Sequence, residues 1–258
     1  MDTPFDQFQR AVFYNDVLFE TVRIANGRIP LLEGHFERLT NGMDLLGIAA
    51  PPEWNLDFFK KALLHNAPEH ARARCTVFRS PGGLYLPQNN AAQWTVQHVA
   101  LPVAYPEWPE KALRMGVSER VRLPIDDFSG VKTLNAARYV QAAREAHAQG
   151  WDDAFLLNGH GRICEATSST VFWWEKEQLN TLPLSEGGVA GVLRAFIMHH
   201  FSVRECPVTP EELRRADEIF LTNAIRWVVP VGQWDARIFE QNRSKTLFQD
   251  LLRLLEAV

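Results

Sequence analysis

Lys132, Glu165 and a glycine-led segment at Gly187–Arg194 are the residues whose types and settings could do chemistry. The chain has six lysines, and Lys132 occupies the least charged neighbourhood, "FSGVKTLNAARY", with no carboxylate within four residues on either side. A lysine in such surroundings is disfavoured as an ammonium ion and can lose its proton well below its free value of about 10.4. The neutral amine is a nucleophile suited to forming a Schiff base with a carbonyl. On local sequence alone Lys132 could equally snorkel to solvent. Glu165 follows "GRIC" and precedes "ATSSTVFWW", with no charge before Glu175. A carboxylate there needs a partner, because burying it alone is costly. That partner is either an arginine, with Arg162 nearby, or a cationic group of a ligand.

In "GGVAGVLRAF", Gly191 opens an expected helix, and the free N–H groups of a first helical turn favour an anion such as phosphate. The segment lacks the Lys-Ser/Thr of a P-loop, and its glycines do not match a dinucleotide fingerprint. Arg38, in "HFERL", lies on an expected helix and carries the planar fork that clamps phosphate; ordinary surface solvation is the alternative. His199-His200 are adjacent, point apart on a helix and have no carboxylate or cysteine at helical spacing, so no metal site is expected.

Composition sets the frame. A chain of 258 residues with 46% hydrophobic content can fill one large core or two medium ones. The net charge of −4 offers no global attraction to nucleic acid or an anionic membrane. Cys75, Cys164 and Cys206 have no metal-ligand spacing and suggest reduced thiols in a cytoplasmic protein. The start "MDTPFDQFQR" has neither a basic n-region nor an apolar h-region, so no signal peptide is expected, and no apolar run reaches membrane-span length.

The elements that must position these residues are a mixture of strands and helices. "AVFYNDVLFETVRIANGRIP" reads as a hairpin about Asn26-Gly27. "LLEGHFERLTNGMDLLGI" has a helical period, and "PPEWNLDFFKKALLHNA" reads as a helix from its Pro-Pro start. "ARARCTVFRSPGGLYLP" and "AQWTVQHVAL" read as strands about a Gly-Gly turn. Three prolines mark residues 102–112 as a linker. Beyond it come a strand in "ALRMGVSERVRL", a helix over 135–149 closed by Gly150, and a hairpin turning at "NGHG". A Gly-led helix follows, then a short helix and one strand in "PEELRRADEIFLTNAIRWVVPV", and an amphipathic helix in "SKTLFQDLLRLLEAV". The expected class is α+β in two domains, residues 1–105 and 106–258.

Together, five blocks resemble the fold-type IV pyridoxal-phosphate enzymes, the D-amino-acid aminotransferase-like fold: "LFETVRIANGRIPLLEGHFERL", "GVKTLN", "WDDAFLLNGHGRICEATSSTVFWW", "GGVAGVLR" and "ADEIFLTNAIRWVVPV". The family includes branched-chain and D-amino-acid aminotransferases and aminodeoxychorismate lyase. The resemblance implies that the C-terminal domain anchors pyridoxal 5'-phosphate through Lys132. It implies that Arg38, the N–H groups of Val192 and Leu193, and Thr222 bind the phosphate, and that Glu165 pairs with the pyridine nitrogen. Tyr85 and Asn223 become substrate contacts, the substrate is a small molecule, and the chain is a homodimer.

The likeness leans toward the lyase, which releases 4-aminobenzoate and pyruvate from 4-amino-4-deoxychorismate. The tyrosine that aminotransferases carry five residues past the lysine is Ala137 here. The alternatives are an aminotransferase acting on a small amino acid and a 2-oxo acid, and a non-catalytic binder, which would need neither Lys132 nor Glu165. Three positions depart from the family pattern: "GDG" is Asn15-Asp16-Val17, the arginine before the turn tyrosine is Leu84, and the asparagine of "NLF" is Thr170.

Overall fold

The computed structural model describes residues 6–256. They divide into two compact units. The first runs to Tyr105 and takes in Val131–Asn135; the second comprises Pro106–Gly130 and the chain from Ala136 onward. The segment that carries Lys132 therefore belongs to the first unit, although the expected boundary at 105/106 had placed it in the second.

The first unit contains α1 (Gln9–Tyr14), β1 (Val17–Ile24), α2 (Leu32–Leu46), α3 (Leu56–Leu64), β2 (Ala71–Arg79) and β3 (Ala92–Ala100). The strands form an antiparallel sheet in the order β1-β2-β3. Strand side chains alternate between faces. Leu18, Val22, Ala73, Cys75 and Val77 share one buried cluster with Leu39 and Met43 of α2 and Phe59 and Leu63 of α3. The apolar period of α2 supplies its face to that cluster, and Gly47 ends the helix in the left-handed region at φ 62°. The third helix starts later than its Pro-Pro signal, because the Asn55 side chain accepts the Phe58 N–H and caps it there.

Two expectations fail in this unit. "AVFY" is the end of α1 rather than a strand. Asn26 and Gly27 do turn with positive φ (52° and 70°), and Ala25 bridges Arg28, but the chain then enters α2. The partner of β1 is β2, from Val17 opposite Phe78 to Ile24 opposite Ala71. Its other edge is taken by the Val131–Asn135 segment. The Phe19 N–H donates to the Lys132 carbonyl (3.0 Å), the Leu134 N–H donates to the Val17 carbonyl (3.3 Å), and Leu18 bridges Thr133.

The second unit contains β4 (Leu113–Leu123), α4 (Ala137–Ala148), β5 (Asp153–Asn158), β6 (Ile163–Ala166), β7 (Thr170–Glu175), β8 (Gln178–Thr181), α5 (Val192–His200), β9 (Val203–Glu205), α6 (Pro210–Leu213), β10 (Glu218–Asn223), β11 (Trp227–Trp234), β12 (Arg237–Ile238) and α7 (Asn242–Glu256). Its mixed sheet runs β6-β5-β4-β11-β10-β7-β8-β9, with β12 on β11. Strand β4 crosses through α4 to its parallel neighbour β5, and Gly150 ends the helix at φ 70° as its position suggests. The β5–β6 hairpin turns at "NGHG", where the Asn158 side chain accepts from the His160 and Arg162 N–H groups.

The sequence "ADEIFLTNAIRWVVPV" holds two strands, β10 and β11, rather than one. Strands β8, β9 and β12 are short and carry no pattern long enough to be read from sequence. Helix α7 covers the expected C-terminal segment, whose last two residues lie outside the described ones. Leu247, Phe248, Leu251 and Leu255 form its buried stripe. Among the described residues, no helix is long and apolar enough to cross a membrane.

Gly116 of β4 lies directly under the Trp151 indole, and a Cβ there would come within 2.2 Å of the ring. Overpacking of that kind costs about 1–3 kcal/mol. Gly116→Ala is therefore expected to lower stability by about 2–3 kcal/mol, read as an earlier midpoint in urea unfolding.

Candidate active site

In the first unit the chemistry gathers on two successive residues of β1, Phe19 and Glu20, whose side chains leave on opposite faces. The Lys132 amine sits over the Phe19 ring, 4.4 Å from its centroid, while its main chain is bound to β1. On the same ring lies the Arg74 guanidinium, 4.0 Å from the centroid. Two cations therefore share one aromatic ring. Burial, and then the neighbouring Arg72, lower the pKa of Arg74. No carboxylate among the described residues forms an ion pair with Arg74.

Glu20 is completely buried. Its Oε1 accepts from Arg38 Nε and its Oε2 from Arg38 Nη2, both at 2.6 Å, and Oε2 also meets His35 Nδ1 at 2.7 Å. Burial by itself would raise its pKa. The Arg38 charge and the His35 hydrogen bond outweigh that effect and hold it at about 2. Arg38 thus stands on α2 with its Nε–Nη2 edge aligned by a bidentate carboxylate. Tyr85 stands apart at a loop tip, 91% exposed and edge-on to Tyr14. That loop is fixed by Arg10 Nη1, which donates to the Gly82 (3.1 Å) and Leu84 (2.7 Å) carbonyls.

In the second unit Glu165 lies on β6, in a strand buried throughout. Its Oε1 accepts the Tyr139 hydroxyl at 2.5 Å, and its Oε2 accepts the Val189 N–H at 3.1 Å. Arg162, the alternative partner, turns instead to Glu186 (2.6 and 2.9 Å). Gly188 packs backbone to backbone on β6: a Cβ there would lie 2.6 Å from the Cys164 carbonyl oxygen.

Next in the chain, Gly191 is the N-cap of α5, so Val192 and Leu193 occupy its first turn as expected. A Cβ at Gly191 would lie 2.8 Å from Thr170 Oγ1, and Thr170 is paired across the sheet with Thr222. The Thr222 hydroxyl is buried and has no hydrogen-bond partner among the described residues. Helix N–H groups, Thr170 and an unsatisfied hydroxyl thus converge on one small region, a setting suited to an oxyanion. Asn223 supports the local turn. Its Oδ1 accepts from the Ile225 and Arg226 N–H groups, and its Nδ2 donates to Ser169 Oγ (3.0 Å).

Sequence reasoning missed Glu20, His35, Arg74 and Tyr139. A charge at Glu20 within the apolar alternation of "LFETVRI" was a readable signal, since an acid on a core face demands a partner. Arg74, in the alternating "ARARC", gave a weaker one. Tyr139 gave none, because its partner is 26 residues away.

The family profile for amino-transferase class IV matches residues 17–234, and the chain belongs to that family. It is 30% identical over 233 residues to the aminodeoxychorismate lyase of Vibrio harveyi, covering 86% of this chain and 84% of the relative. The crystal structure of 4-amino-4-deoxychorismate lyase from Pseudomonas aeruginosa superposes with a TM-score of 0.79 at 27% identity, covering 98% of this chain and 95% of that one. The branched-chain amino acid aminotransferase of Escherichia coli superposes at 0.84 over 98% and 90% of the two chains, but at 19% identity it shares only the fold.

The chain is accordingly a pyridoxal-phosphate-dependent enzyme of fold type IV. The donor chemistry within the second unit fits that group: a helix N-terminus beside an orphaned buried hydroxyl suits a phosphate, and a buried carboxylate suits a ring nitrogen.

Glu20→Gln would leave Arg38 and His35 facing an uncharged amide. Unpairing a buried ion pair of this kind costs about 3–5 kcal/mol, and that loss of stability is expected near neutral pH. Because the folded-state pKa is depressed from 4.5 to about 2, the wild-type advantage is complete above 4.5 and disappears as pH falls toward about 2. Urea unfolding of both proteins across that range checks the prediction.

Proposed function

We propose that the enzyme is a lyase that converts 4-amino-4-deoxychorismate to 4-aminobenzoate and pyruvate. The observation that carries this reading is Arg74. The substrate is a dicarboxylate, and Arg74 offers it an arginine on the same ring as Lys132, without an acid partner among the described residues. Leu84 stands where the resemblance expects an arginine, so Arg74 supplies a carboxylate contact that the turn lacks. Ala137, in place of the aminotransferases' tyrosine, supports the same reading, as does the full-length similarity to lyases.

In this reading Lys132 would hold the cofactor and would serve as the base that moves the proton. Arg38, Val192, Leu193 and Thr222 bind the phosphate, and Glu165 keeps the ring nitrogen protonated. The bound cofactor supplies an electron sink for negative charge at the substrate carbon. The proton on the amino-bearing ring carbon would pass to Lys132 as the C–O bond on the adjacent carbon breaks; the enolpyruvate released would take up a proton at its methylene carbon to become pyruvate, and aromatisation to 4-aminobenzoate would drive the step. Tyr85, exposed on its loop, and Asn223, engaged in its turn, remain candidate substrate contacts. We infer a homodimer from the family resemblance, and a cytoplasmic location from the three unbridged thiols.

Borohydride reduction of the pyridoxal-phosphate-loaded protein should leave a pyridoxyl group on the Lys132 peptide, and Lys132→Ala should abolish it. Pyruvate release from aminodeoxychorismate should then exceed amino transfer from branched-chain or D-amino acids. Arg74→Ala should raise KM for aminodeoxychorismate about 10- to 100-fold, the range set by one charge-assisted hydrogen bond, with unchanged cofactor content. Amino transfer without pyruvate release would assign the family's other activity.

A further inference from the structure

Glu165 needs more than burial to serve a ring nitrogen. A glutamate side chain has three rotatable bonds, and its carboxylate plane has to be held if it is to face a planar partner. One oxygen is fixed by the Val189 N–H, on the segment that leads into α5. The other is fixed from α4, where Tyr139 projects its hydroxyl to 2.5 Å from Oε1.

We propose that Tyr139 is a positioning residue for the cofactor, acting through Glu165. Its hydroxyl sets the plane and the rotamer of that carboxylate, and hence the hydrogen bond that the ring nitrogen receives. The proposal rests on the reading that Glu165 pairs with that nitrogen. Three features support it. The ring of Tyr139 packs on a buried cluster of Val121, Leu123, Ala142, Leu156 and Cys164, which anchors the hydroxyl. Burial, and next the negative charge of Glu165, push the phenol pKa far up, which keeps Tyr139 protonated as a donor. The Val189 N–H meets the other oxygen at 3.1 Å, so the two donors act on opposite oxygens and together define the carboxylate plane.

Tyr139→Phe isolates the effect, because it keeps the packed ring and removes only the hydroxyl. The expected result is about 10-fold weaker pyridoxal-phosphate binding by fluorescence titration of the apo protein, with an apo form that still unfolds cooperatively in urea. The 15N chemical shift of the ring nitrogen in bound, labelled pyridoxal phosphate should move in the direction produced by Glu165→Gln, by a smaller amount. In the double variant, Tyr139→Phe should add nothing to Glu165→Gln in either readout, because it acts through that carboxylate.

A shift with Glu165→Gln and none with Tyr139→Phe would overturn the role of Tyr139 and leave the Glu165 reading standing. No shift with either variant would overturn both. Additive effects in the double variant would show that the hydroxyl acts independently of Glu165, and would also overturn the proposal.

Discussion

Glu20 is an ion buried in a strand, and the first unit is organised around keeping it one. Removing a carboxylate from water costs several kcal/mol even after relaxation, and only well-aligned partners offset it. Arg38 meets both oxygens and His35 meets one, so the strand, the helix and the charge are fixed together. Phe19 is the next residue back along β1, and it carries Lys132 on the opposite face. A slip of one residue in the pairing of β1 would exchange these faces and remove both groups from their places. The eight-residue register with β2, and the Val131–Asn135 segment on the other edge, prevent that slip.

Buried acids of the second unit tie its elements together. Glu186 is met by Arg162 and the Asn158 amide, and Glu218 by Ser244 and the Arg243 N–H at the start of α7. These acids hold a turn and a helix terminus. Glu165 is met by a phenol hydroxyl and a peptide N–H. Arg162, three residues before Glu165 in the chain, is directed away from it, to Glu186.

Much of this was legible in the sequence where a single pattern decided the outcome. The period of "LLEGHFERL" placed Arg38 on a helix, the glycine before "VLRAF" placed Val192 and Leu193 in a first turn, and the scarcity of charge around Lys132 marked it out. The failures occurred where a long-range contact decided. Asn26-Gly27 has the right local geometry for a hairpin, but β1 finds its partner some fifty residues later. "GVKTLN" falls within the expected domain of residues 106–258, yet it hydrogen-bonds to β1. Tyr139 and Arg74 matter through partners that no spacing rule connects to them.

The departures from the family pattern have physical accounts. Asn15, where the pattern has glycine, adopts φ 52°, a left-handed conformation that asparagine tolerates better than most residues. Asp16 then receives Arg10 at 2.8 Å and Arg79 at 2.7 Å, and Arg79 also donates to the Gly47 carbonyl and to Asn90. Both arginines are thereby committed to holding the loop between β2 and β3 and the end of α2. Arg38 is shared with Glu20. Among these arginines of the first unit, Arg74 alone has its guanidinium on an aromatic face with Lys132 beside it and no acid partner among the described residues. An enzyme that handles a substrate with two carboxylates needs a cation beyond those that hold its cofactor, and the charge balance of this unit leaves that task to Arg74.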